Sequence, residues 1–119
     1  MNKRSVGSQY EKLACEFLEK KGYEIISTNF RNRYGEIDII AKDKEYLVFI
    51  EVKYRKTNSF GDPSEAVNLK KQINICRVSD YYRVRYKISS DVNIRFDVVA
   101  ISDNEISLIQ NAFEYIGGI

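Results

Sequence analysis

Two runs of residues on either side of a short polar turn constrain this chain more than any other feature. Glu36-Ile37-Asp38-Ile39 alternates acidic and β-branched residues and continues to Lys42, which reads as a strand with two unlike faces. Tyr46–Lys53 is strongly apolar and ends on Glu51-Val52-Lys53. Asp43-Lys44 between them is turn-like, so the pair reads as a hairpin. Side chains alternate across a strand, and Glu51 and Lys53 therefore point the same way. With a loop of two or four residues, even positions of the first strand share a face with odd positions of the second. Asp38 then joins Glu51 and Lys53, while Ile37, Ile39, Val48, Ile50 and Val52 form an opposite, core face.

The rest of the chain places this hairpin. Val6, Tyr10, Leu13, Ala14, Phe17 and Leu18 recur at helical spacing up to Gly22. Tyr23–Phe30 reads as a strand and Arg31–Gly35 as a polar turn. After a polar loop, Asp62-Pro63-Ser64-Glu65 supplies an N-cap, a proline at the first helical position and an acid in the first turn. That helix should run, with room for a break, to about Arg83. Asn93–Ile101 and Glu105–Gln110 are two further strands around a turn at Asp103-Asn104. The order α-βββ-α-ββ, with a helical crossover after a meander, implies an α/β fold with a mixed sheet flanked by helices. The second helix carries two apolar stripes. Ala66, Leu69, Ile73 and Cys76 lie nearly opposite Ile75, Val78 and Tyr82. One stripe packs on the sheet; the other needs either another part of the chain or a second subunit, which would make a homodimer.

Composition narrows the function. A length of 119 residues suits one domain over 1–119, and 44% apolar with 30% charged residues is the balance of a folded chain. No apolar run could span a bilayer and no apolar core follows the basic Met1-Asn2-Lys3-Arg4, so a cytoplasmic protein without membrane partners is expected. Cys15 and Cys76 stand singly on the two helices and read as buried free thiols. The sequence has no histidine, which argues against a zinc site or a Ser-His triad. The net charge of +2 does not by itself announce nucleic acid.

Two carboxylates on adjacent strands repel. At ~5 Å and an effective dielectric of ~20 the repulsion is about 3 kcal/mol. Lys53 can offset part of it, and a divalent cation more. Asp38, Glu51 and the Val52 carbonyl are hard oxygen donors that leave room for water and phosphate, as Mg²⁺ or Mn²⁺ requires. Lys53 would stand beside the metal to hold the attacking water or stabilise the developing negative charge. Glu11 lies at the edge of the first helix's buried stripe and either reaches this site or closes a capping box with Ser8. Glu36 shares the parity of Asp38 and is a possible additional acid. Asp97, in Arg95-Phe96-Asp97-Val98, is better explained by an ion pair with Arg95. Arg31, Arg33 and Tyr34 before the motif and Tyr54, Arg55 and Lys56 after it mix cations with aromatics, a pattern suited to a polyanion with occasional base stacking.

These residues resemble a family. Gly35-Glu36-Ile37-Asp38-Ile39-Ile40, Val48-Phe49-Ile50-Glu51-Val52-Lys53-Tyr54-Arg55, Phe60-Gly61-Asp62-Pro63 with Glu65-Ala66-Val67, and Arg95-Phe96-Asp97-Val98-Val99 resemble the YraN family of small bacterial proteins. That family is similar to the PD-(D/E)XK nucleases, which share a restriction-endonuclease-like core, and to archaeal Holliday-junction resolvases. The resemblance implies that Asp38, Glu51 and Lys53 are the catalytic trio, that Glu11 is the acid of the first helix, and that Lys71 and Gln72 are a recurrent polar pair of the second. Ile37 stands where the superfamily's motif has proline. The reading it implies is a Mg²⁺- or Mn²⁺-dependent endonuclease acting on DNA, including branched DNA, and leaving a 5′-phosphate. The alternatives are a nucleic-acid-binding adaptor that keeps the fold without turnover and a protein-interaction module using the second helix.

Overall fold

Helix α1 (Lys3–Lys20) ends where Gly22 takes a left-handed backbone, φ 94°. The Tyr23 N–H reaches back to the Leu18 carbonyl at 3.0 Å and the Gly22 N–H to that of Glu19, a Schellman closure that only a residue without Cβ adopts cheaply. The chain then builds β1 (Glu24–Asn32), β2 (Gly35–Asp43) and β3 (Tyr46–Tyr54). Helix α2 (Leu69–Arg85) crosses over to β4 (Ile94–Ile101), and β5 (Ile106–Ile109) closes the sheet. This computed structural model describes residues 3–56 and 67–117, with side chains in α1 from residue 9 onward. The helix start expected at Asp62-Pro63-Ser64-Glu65, Ala66 of the second apolar stripe, and the side chains of Val6 and Ser8 lie outside the described residues.

The strand order is β1-β2-β3-β4-β5, parallel between β3 and β4 and antiparallel elsewhere, the mixed sheet that the crossover implies. Lys44 (φ 56°) and Glu45 connect β2 to β3, and the register pairs Ile39 with Ile50 and Ala41 with Val48. Two residues in the loop give the parity that puts Asp38 with Glu51.

Both faces of the sheet are core, where the alternation had suggested one. Ile39, Ala41, Val48, Ile50, Val99 and Ile101 bury against Ala14 and Leu18 of α1. Ile40, Phe49, Phe96 and Val98 bury against Ile75, Cys76, Val78 and Tyr82 of α2. A strand covered on both sides needs apolar residues at successive positions, which is why Leu47–Ile50 reads as a continuous apolar run. Leu18 is wholly buried, so Leu18→Ala should cost about 2–5 kcal/mol. Ile37 departs from the expected face and packs on the α2 side. The ladder is irregular there. Asn29 of the neighbouring strand has φ 54°, and the Val52 N–H is taken by the Asp38 side chain. Leu13, expected in the buried stripe of α1, is 45% exposed.

Within the described residues, helix α2 starts at Leu69. Asn68 caps it, accepting the Lys71 N–H at 2.9 Å. Its sheet-facing stripe is Ile75, Val78 and Tyr82, and Leu69 points outward. The opposite stripe finds part of its cover in the same chain. The Ile116 N–H bonds the Cys76 sulfur at 3.4 Å, and the Tyr115 hydroxyl bonds Asp80 at 2.8 Å. Both cysteines are free thiols, Cys76 buried and Cys15 only partly so. Among the described residues no helix is long and apolar enough to cross a membrane.

Candidate active site

Asp38 sits where β2 and β3 part company. Its Oδ2 accepts the Val52 N–H at 2.8 Å, standing in for a ladder acceptor. Glu51 lies beside it on β3, 5% exposed, and its Oε1 meets the Lys71 ammonium at 3.0 Å. Burial, then the Glu51 carboxylate, pushes the Asp38 carboxyl up to about 8, against which the Val52 N–H pulls only weakly. Lys53 is held below its ordinary range by burial and by the neighbouring Lys71 ammonium. Burial opposes charge on Lys71 too, but Glu51 and Asp38 outweigh it and hold Lys71 above its ordinary range. Two acids and two lysines thus converge from β2, β3 and α2.

Asp38, Glu51 and Lys71 line a cleft of about 350 Å³ with Gly35, Glu36, Asn68, Lys70, Asn74 and Ile75, and Lys53 lies outside that lining. Gly35 has φ 150°, a backbone that residues with a Cβ rarely adopt, although a Cβ there would make only ordinary contact with the Asn74 Cβ at 3.6 Å. Asn68 and Asn74 were missed by the sequence reading. Their signal was the helical spacing from Lys71, one turn before and one turn after.

The remaining candidates are spread around this cleft. Glu36 lines it and pairs with Arg31 at 2.7 Å. Glu11 lies outside the lining, bonded by the Asn29 amide at 2.6 Å; burial and the nearby Glu36 carboxylate raise its pKa. Because α1 starts at Lys3, Glu11 is in mid-helix and does not close a capping box. Lys70 is exposed at the rim. Gln72 turns back to its own helix start, donating to the Val67 carbonyl at 2.9 Å. Arg33 donates to the Tyr34 hydroxyl at 2.9 Å. Tyr54 is stacked on Tyr10, centroids 4.3 Å apart, and donates its hydroxyl to Asp103. Arg55 is exposed, with a bond to the Tyr54 carbonyl, and Lys56 is exposed as well. The structure therefore brings together Asp38, Glu51, Val52, Lys53, Lys71 and Glu36, and leaves Glu11, Gln72 and Tyr54 engaged elsewhere.

A second polar cluster occupies the far end of the same strands. Asp97, fully buried, accepts from Arg95 Nε and Nη2, both at 2.9 Å, from the Tyr23 hydroxyl at 2.7 Å and from the Asn111 N–H at 2.9 Å. Arg95 also bonds Asp43 at 2.9 Å, and Gln110 donates to Tyr23. Burial, with the Asp97 carboxylate beside it, pushes the Tyr23 hydroxyl up to about 12. The expected Arg95–Asp97 pair is present and is the hub of a larger network.

Comparison with known proteins gives a family. The profile of the uncharacterised protein family UPF0102 matches residues 10–101. A UPF0102 protein of Caldicellulosiruptor bescii is 51% identical, over 95% of this chain and 100% of that protein. One from Acetivibrio thermocellus is 48% identical over 94% and 93%, and one from Fusobacterium nucleatum is 43% identical over 93% and 92%.

Proposed function

The chain belongs to the uncharacterised protein family UPF0102, the YraN family, and we propose that it is a divalent-metal-dependent endonuclease with a PD-(D/E)XK core that hydrolyses DNA phosphodiesters, branched DNA included. The observation that supports this most is the forced neighbourhood of half-buried Asp38 and buried Glu51, carboxyls pinned by strand pairing at the floor of an open cleft. Repulsion of that kind lowers stability unless a cation answers it.

The donor set fits a hard cation. Asp38 and Glu51 would hold it, with the Val52 carbonyl as a third oxygen. Among the described residues no three acidic or cysteine side chains meet at one point, so most remaining positions would be water, as Mg²⁺ and Mn²⁺ tolerate. When bound, such a cation neutralises charge on a phosphodiester and acidifies a bound water. The protein's own groups do the rest. Lys53, its charged form disfavoured by burial and by Lys71, hydrogen-bonds the attacking water and can exchange a proton more readily than a solvated lysine. Lys71 holds Glu51 in place and adds positive charge where phosphate would enter.

The test is thermal melting with and without millimolar Mn²⁺, on wild type and Asp38→Asn, beside cleavage of plasmid and four-way-junction DNA by wild type and Lys53→Ala. Metal should raise the wild-type Tm and barely move that of Asp38→Asn, and Lys53→Ala should cut at least about a hundredfold more slowly. A wild-type Tm indifferent to Mn²⁺ together with uncut DNA would sink the reading. One observation favours the non-catalytic adaptor instead: Lys71 already neutralises Glu51 without any metal. That reading requires DNA binding that persists in chelator and no cleavage with it removed.

A further inference from the structure

Beside the cleft lies a groove of about 500 Å³ that the chemistry just described does not use, lined by Tyr34, Arg77, Asp80, Tyr81 and Val84. Its makeup is unusual for a solvated surface. Tyr34 is 37% exposed and Tyr81 46%, two rings left open on the outer side of α2 and the β1–β2 turn. Two guanidinium groups attend the Tyr34 ring, Arg33 at 5.0 Å and Arg77 at 5.8 Å from its centroid. Among the described residues neither arginine is paired with a carboxylate, whereas Asp80 is taken up by Arg83 at 2.7 Å and by the Tyr115 hydroxyl.

Tyr34 is also held in place. The Asn32 side chain accepts the Tyr34 N–H at 2.8 Å, fixing the turn, and Arg33 holds the hydroxyl. A ring fixed in advance costs little further entropy when something stacks on it. The groove adjoins the cleft. Tyr34 precedes Gly35, which lines the cleft, and Arg77 follows Asn74 by one turn of α2.

We infer that this groove is a docking shelf for an unpaired nucleotide strand leading into the active site, its bases stacking on Tyr34 and Tyr81 and its phosphates meeting Arg33 and Arg77. The inference rests on the nuclease reading and deepens it by assigning the substrate class: nucleic acid with single-stranded character next to the scissile bond. Duplex cannot use the shelf fully, because its base faces are already covered by their neighbours in the stack. Every unpaired base has a free face, and stacking on an aromatic ring is worth about tenfold or more in affinity. A second copy of this chain is the poorer occupant. A two-fold contact opposes a patch to itself, which would bury Arg33 and Arg77 in a patch whose carboxylate, Asp80, is already taken up by Arg83.

The experiment is fluorescence anisotropy in chelator, with a labelled single-stranded oligodeoxynucleotide and the same sequence closed into a hairpin duplex. Wild type, Tyr34→Ala, Tyr34→Phe, Tyr81→Ala and Arg77→Ala are compared, each with a melting curve to confirm folding. Tyr34→Ala should lose about tenfold more affinity for the single strand than for the duplex, Tyr34→Phe should keep most of it, and Tyr81→Ala should follow Tyr34→Ala more weakly. Arg77→Ala should weaken both ligands and reduce the salt dependence by about one phosphate contact. If wild type binds DNA but both tyrosine variants lose single strand and duplex alike, or neither, the shelf is refuted while the nuclease reading stands. If sedimentation shows a wild-type dimer that Tyr81→Ala dissociates, with single-strand binding unchanged, the groove is a self-interface and the inference fails. Wild type that binds neither oligonucleotide overturns this inference, while the nuclease reading stands or falls on Mn²⁺-dependent melting and cleavage.

Discussion

Asp97 and Asp38 are both carboxyls drawn out of water, at opposite ends of one sheet, and they are treated in opposite ways. Asp97 is wholly buried, yet four donors converge on it and Arg95 supplies the countercharge in a two-pronged bond. Asp38 is less buried but has a single backbone donor and a second carboxyl for a neighbour. The first cluster is closed, and every charge is answered within the chain. The second leaves a demand for positive charge that faces an open cleft. Burial alone does not separate a structural carboxyl from a reactive one; the donor count around it does.

The largest effect should come from breaking the closed cluster. Arg95→Ala strands Asp97, and Asp43 with it, and should cost about 3–5 kcal/mol in urea unfolding at neutral pH. A loss below about 1 kcal/mol would mean that the remaining donors suffice without the countercharge. Asp38→Asn should act in the other direction. The Asp38 carboxyl titrates at about 8 in the folded chain and near the ordinary 3.8 when unfolded. Between those values the folded state keeps a proton that the unfolded state has released, so apo wild-type stability falls as pH rises through this window. Asparagine removes that penalty. The variant should match wild type at and below pH 4 and exceed it by a few kcal/mol, roughly 3, at pH 8 and above. Paired denaturation curves across that range check the sign, and a variant less stable than wild type at pH 8 would dissolve the contrast between the two clusters.

A smaller change sharpens the cause. Glu51→Gln removes the neighbouring charge, and carbonyl-carbon NMR should then show the Asp38 pKa moving down toward the ordinary carboxylate range while remaining above it, since burial persists. An unmoved Asp38 would assign the whole shift to burial. The smallest effect belongs to the rim. Arg31 and Glu36 form an exposed pair, and Glu36→Gln should change stability by no more than about 0.5 kcal/mol in the same unfolding assay.

Much of this was legible in the residues because it depends on local periodicity. The element order, the mixed sheet and the shared face of Asp38 and Glu51 follow from strand parity across a two-residue loop. Lys71 required the resemblance, since nothing within α2 marks it apart from Lys70. The Arg95 network was legible only at its local step, Arg95 to Asp97. Tyr23 reaches Asp97 across 74 residues and Gln110 reaches Tyr23 across 87, separations that leave no pattern in the chain. The second core was hidden for a related reason. A run such as Leu47–Ile50 shows that a strand is apolar on both sides without naming what covers each side. Gln72 was offered by the resemblance and Tyr54 by the mix of cations and aromatics, and their side chains are engaged within the fold by the Val67 carbonyl and by Tyr10 and Asp103.

The crossover between β3 and β4 also orders events in time. β1, β2 and β3 pair by short turns, whereas the parallel β3–β4 ladder waits for residues 55–93 to close a long loop. Asp38 and Glu51 both lie on the early hairpin; Lys71 arrives with the crossover helix. The acids therefore meet before the cation that answers one of them. Refolding should slow as pH rises from about 4 toward 8, because the hairpin must recover at Asp38 a proton that the unfolded chain has released, and above that range the hairpin gains most from whatever cation the surroundings supply first.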